Sequence, residues 1–112
     1  MRVAIGLLFL MVLAQPASAA DKNNIQWLYT QCKQNSPLCI AYIEGVADMM
    51  ALASVSPDKV TRGTLGMCAP DGTTYGADVQ VLINWAEKHP EQWTQVQIVG
   101  VIGALGETWP CH

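Results

Sequence analysis

Residues 38–54 read LCIAYIEGVADMMALAS, from Leu38 to Ser54. On a helical wheel this stretch is apolar almost all the way round. Only Glu44 and Asp48, four residues apart, make a narrow polar strip. A helix wetted along one side carries a broad polar face, whereas one apolar on nearly every side is a central helix that others cover. It is too short, and carries too many acids, to span a bilayer. Ser36 suits the N-cap, and Pro37 the first helical position, where its missing N–H does no harm. Gly45 lies mid-helix, at a cost of about 1 kcal/mol relative to Ala. Ala41, Gly45 and Leu52 fall along one stripe, and the expectation is a second helix packed tightly there.

Upstream, Asn24 to Asn35 reads as a first helix, with Ile25, Leu28, Tyr29 and Cys32 on its apolar face. Gln34 to Pro37 turns it into the central helix. Cys32 ends one helix and Cys39 begins the next, so an antiparallel pair sets them side by side. Downstream, Ser54 to Thr73 holds Pro57, Gly63, Gly66, Pro70 and Gly72. Glycine and proline at this density predict a long loop without regular structure. Thr74 caps a third helix from Tyr75 to Lys88, whose apolar face carries Val79, Leu82, Ile83 and Ala86. Lys88, His89 and Pro90 end it.

A fourth helix is expected from about Glu91 to Glu107. Ile98, Val101, Ile102, Leu105 and Trp109 make its core face. Trp93, Val96, Gly100, Gly103 and Ala104 make a second apolar face, which reads as a subunit contact. A tight His-Pro turn runs the third and fourth helices antiparallel, which sets Cys68 beside Cys111. Of the three pairings that four cysteines allow, the layout selects Cys32–Cys39 and Cys68–Cys111. The fold class is therefore all-α: a small four-helix domain with two disulfides and a long loop between the second and third helices.

The opening residues have another use. Arg2, the apolar run Val3 to Ala14, the Gln15-Pro16 break and Ala17-Ser18-Ala19 form a secretory signal cleaved after residues 1–19. One domain, residues 20–112, follows, with no membrane anchor. Export to the periplasm suits an even cysteine count. Without the signal the chain carries five basic and nine acidic residues, a net of −4. No basic stripe is present to neutralise phosphates, so nucleic acid is disfavoured as a partner.

No catalytic constellation emerges. His89 reads as a helix C-cap and His112 is terminal. Cys68 is better explained by a disulfide than as a nucleophile paired with His89. Cys68, Cys111 and His112 match no compact zinc motif, and no metal or other cofactor is expected. Asp48, on an apolar helix, should find donors, either the backbone N–H groups near Cys68 or those at the Thr74 helix start.

Taken in order, these pieces resemble the Rap/Tai family of periplasmic immunity proteins of type VI secretion systems, across essentially the whole mature chain. The marks are Cys32; the run Cys39, Tyr42, Gly45, Asp48; the Cys68-Ala69-Pro70-Asp71-Gly72 loop ahead of Thr74; His89-Pro90-Glu91; and Ala104-Leu105 with Trp109-Pro110-Cys111. Where the family pattern commonly has a glutamine-leucine pair after the Thr helix start, Ala77 and Asp78 stand here. Gln92-Trp93 replaces a second basic stretch. The resemblance implies a non-enzymatic, dimeric, disulfide-stapled protein that blocks the cleft of an injected peptidoglycan amidase. Composition points to Asp58, Lys59 and Arg62 in the long loop as the partner-binding residues. The rival from another class is a small acid-stress chaperone of the envelope, with Glu44 or Asp48, buried as ions, for its trigger. A third reading is an envelope protein of the same fold without a toxin partner.

Overall fold

The computed structural model describes residues 22–112. The signal-peptide reading of residues 1–19 lies outside them. Five helices follow one another: α1 (Ile25–Lys33), α2 (Pro37–Ser54), α3 (Lys59–Leu65), α4 (Tyr75–Lys88) and α5 (Gln97–Thr108). A short 3-10 turn, Pro90–Gln92, follows α4. The all-α class and both disulfides are as expected; the helix count is five rather than four.

The turn from α1 to α2 is set by local chemistry. Asn24 caps α1, its Oδ1 accepting from Trp27 N at 2.8 Å. At the far end Asn35 takes φ 55°, a left-handed conformation that asparagine tolerates. Its N–H reaches Cys32 O, and Ser36 N–H reaches Gln31 O, which closes the helix in a Schellman motif. Ser36 then caps α2 ahead of Pro37. With the chain reversed this sharply, Cys32 and Cys39 bond with their Cα atoms 5.0 Å apart.

The core collects Leu28 from α1, Ile43, Val46, Ala47 and Met50 from α2, Leu82 and Ile83 from α4, and Val101, Ala104 and Leu105 from α5. At 18 residues α2 is long and apolar enough by composition to cross a membrane, which corrects the expectation that it is too short and too acidic; its buried face is the floor of this core. The chain closes over the other end through Met67 N to Met50 O, Cys68 N to Trp109 O, and the Cys68–Cys111 disulfide.

Two expectations are overturned here. The long connection is not without structure, because α3 occupies Lys59–Leu65. Asp58 caps it through Thr61 N at 2.9 Å, Pro57 stands before the cap, and Gly66 ends it. Those prolines and glycines therefore punctuate a helix rather than prevent one. A Cβ at Gly66 would run into the Arg62 carbonyl, so only glycine fits.

The last helix also starts later than expected, at Gln97 rather than near Glu91. The first N–H groups of α1, from Ile25 and Gln26, bond to the carbonyls of Gln95 and Trp93. Those carbonyls are consequently withheld from any helix of their own.

Candidate partner-binding surface

The apolar residues of α2 meet two fates. Cys39, Ile43, Val46, Ala47 and Met50 are buried. Leu38, Ala41, Gly45, Met49 and Leu52, on the opposite side, face solvent. The helix expected to pack on the Ala41–Gly45–Leu52 stripe is therefore not supplied by the described residues, and a Cβ at Gly45 would touch nothing. The exposed band continues past the end of α2 through Val55 onto Val60 of α3. Leu52 is 73% exposed, Val55 75% and Val60 70%. Between α2 and α3 lies an apolar groove of about 460 Å³, lined by Met49, Leu52, Ala53, Val55, Thr61 and Leu65. Contiguous exposed apolar surface of this kind marks interaction sites.

The face of Trp93, Val96, Gly100 and Ala104, read as a subunit contact, is mostly turned inward. Gly100 is buried against Ile25, where a Cβ would come within 2.7 Å of Cγ1. Ala104 is fully buried. Trp93 stacks on Tyr29 and donates to Ala86 O. Val96 alone of the four is exposed. The second apolar face of α5 is covered by α1 at Gly100 and by Trp85 of α4 at Gly103, a cover the sequence pattern did not anticipate.

Of the residues expected to bind a partner, Asp58 and Arg62 hold α3 in place. Asp58 accepts from both the N–H and the hydroxyl of Thr61, and these bonds keep its carboxyl below the usual carboxylate range. Arg62 Nη1 donates to Ser56 O at 2.6 Å. Lys59 opens the helix and is exposed. The three residues thus stand at the start and middle of a short helix beside the apolar groove rather than in an irregular loop.

The remaining motif residues lie at or beside caps and turns, apart from Tyr42 and Asp48 within α2. His89 caps α4, stacks on Trp85 and meets Glu91 at 3.0 Å. Pro90 opens the 3-10 turn, Thr74 caps α4, Pro70 O anchors the Pro70–Thr73 turn, and Trp109 O receives Cys68 N. Pro110 is exposed between Trp109 and the cystine at Cys111. Tyr42 is half-buried on α2, and burial raises its phenol.

Asp48 is exposed, and its partner is neither backbone candidate: Tyr75 Oη donates to its Oδ1 at 2.9 Å. Glu44 is only half-buried, so neither acid is the buried ion that an acid trigger needs. The buried acid is Asp78, at 3% exposure on the inner face of α4. The sequence carried a signal for it, since Asp78 lies four residues before Leu82 on the apolar face.

The family model of the Rap1a immunity proteins matches residues 24–111, a span holding all five helices and both cystines. No curated protein and no solved structure matches the chain. On that span, the chain belongs to the Rap1a immunity protein family.

Proposed function

We propose that this is a periplasmic immunity protein that protects its own cell by binding and occluding a peptidoglycan amidase delivered by type VI secretion. The observation that carries the reading is the uncovered apolar band of α2 and α3 on a protein of an immunity family. The short helix α3, with Lys59 exposed beside an apolar groove, suits insertion against an enzyme cleft. Two cystines keep the surface preformed, which limits the ordering cost of binding. The test is to mix residues 20–112 with the amidase effector that this reading expects in the neighbouring reading frame. A stoichiometric complex and loss of peptidoglycan hydrolysis are expected. Undiminished hydrolysis with excess protein present would sink the proposal.

A second reading has its own observation. Leu38 and Leu52 each lie seven residues from Gly45, and Ala41 and Met49 each lie four. Two copies of α2 crossing antiparallel at Gly45 would oppose Leu38 to Leu52 and Ala41 to Met49, with no Cβ at the crossing to hold them apart. In this reading the band joins a homodimer, and the amidase meets other surface. A Gly45→Cys variant then cross-links to a covalent dimer on oxidation. Sedimentation as a monomer at tens of micromolar rules the dimer out.

A further inference from the structure

The start of α4 gathers three carboxylates around one opening. Asp48 from α2, Asp71 from the Pro70–Thr73 turn and Asp78 from α4 line a cavity of about 310 Å³, with Tyr75 among the other walls. Among the described residues, no lysine, arginine or histidine lines it. Asp78 is nearly fully buried, and its Oδ1 has no hydrogen-bond partner. Buried carboxylates are normally paired or hydrogen-bonded, because an unsatisfied one loses its hydration without replacement.

The surroundings do not relieve it. At the helix start Ala77 N donates to Thr74 Oγ1 and Asp78 N to Thr74 O, so neither N–H serves the Asp78 carboxylate. Burial first, and the Asp48 charge second, hold the Asp78 carboxyl above its ordinary range. The charges acting on the Tyr75 phenol are likewise all acidic, from Asp48, Glu44 and Asp78. Three acids that line one cavity, one of them buried, with no cation among the lining residues, form a receptor for a positive group.

The geometry points to a binding site for a guanidinium group, the side chain of an arginine presented by a protein partner. An organic cation fits better than a metal ion, because among the described residues no three His, Cys, Asp or Glu side chains converge to hold one. A guanidinium is a flat fork that can bond carboxylates on different walls at once, and it also stacks on an aromatic face. Tyr75 offers such a face, 43% exposed at the rim. The space of about 310 Å³ takes the planar head and part of its stem. Asp48, Asp71 and Tyr75 are exposed, so the cavity is reached from solvent. That the arginine belongs to the amidase rests on the function proposed above; the site itself does not.

Titration of the isotope-labelled protein with arginine amide, followed by amide NMR, tests the site alone. Saturable shifts are expected at Asp48, Asp71 to Tyr75 and Asp78, with a Kd of order 1–10 mM. Citrulline amide, which keeps the α-ammonium but has an uncharged side chain, should give none, and lysine amide should bind about ten-fold more weakly. Asp78→Asn should lower arginine-amide affinity about ten-fold with the remaining spectrum unchanged, and Asp71→Asn provides a second variant at an exposed position. Absence of saturable shifts, equal response to lysine amide, or indifference to both substitutions overturns the proposal. With the amidase, Asp78→Asn should weaken the complex about ten-fold. Full affinity there, with arginine-amide binding lost, removes the amidase as the source of the arginine. Absence of any complex with the unsubstituted protein is instead the failure of the function proposal.

Discussion

The two sides of α2 have nearly the same composition and opposite fates. On one, Ile43, Val46, Ala47 and Met50 are covered by α4, α5 and the Met67 segment. On the other, Leu38, Ala41, Gly45, Met49 and Leu52 meet solvent. Apolarity alone therefore does not say what covers a residue. It says only that something should, and on the open side that something is absent from the described chain.

The difference can be broken from the covered side first. Replacing Cys68 and Cys111 by Ser removes the tie that holds the end of α5 to the segment before α4. With the two cysteines 43 residues apart, the chain-entropy model gives a loss of about 4 kcal/mol. Denaturant unfolding of the double variant measures it, and a loss below about 1 kcal/mol would mean that core packing alone closes this end of the fold. Ile43→Ala, in the middle of the buried face, should cost about 2–5 kcal/mol by the same measurement.

A smaller effect of opposite sign is expected at Asp78. Its carboxyl is raised in the folded protein, so the native state holds the proton more tightly than the unfolded chain does. Stability is then fully present below the ordinary value of 3.8 and falls as pH rises above it. Asp78→Asn should thus be about 1 kcal/mol more stable than the parent at pH 7, and the advantage should vanish near pH 3. Thermal unfolding across that range checks it. A variant less stable at pH 7 would mean that the carboxylate has a favourable partner. Retaining a destabilising acid is what a binding site commonly demands of a fold.

The smallest effect is the sharpest contrast with Ile43. Leu52→Ser, on the open side of the same helix, should change monomer stability by no more than about 0.5 kcal/mol. It should nevertheless weaken the amidase complex, or dissociate the dimer if the second reading holds. A Leu52→Ser protein that loses stability as Ile43→Ala does would show that the band is covered after all.

Much of this was legible in the residues. The boundaries of α2 and α4 follow from Ser36, Pro37 and Thr74, and each of those caps is made. The cystine pairing followed from antiparallel order. Helix α3 is hidden by the density of proline and glycine around it, although Pro57 and Gly66 flank the helix and Asp58 caps it. The late start of α5 was missed because the carbonyls of Trp93 and Gln95 are claimed by α1, some seventy residues earlier in the chain. Asp78 was legible as a position on an apolar face, but not as an unpaired acid.

What the sequence determined by itself is local: caps, turns, helical period and the cysteine order, each set by groups a few residues apart. Which side of an all-apolar helix is covered, which face of α5 meets α1, and where three acids gather were decided by the tertiary structure. Those outcomes depend on how segments distant in the chain compete for the same surface and the same backbone hydrogen bonds, and no local pattern records the result of that competition.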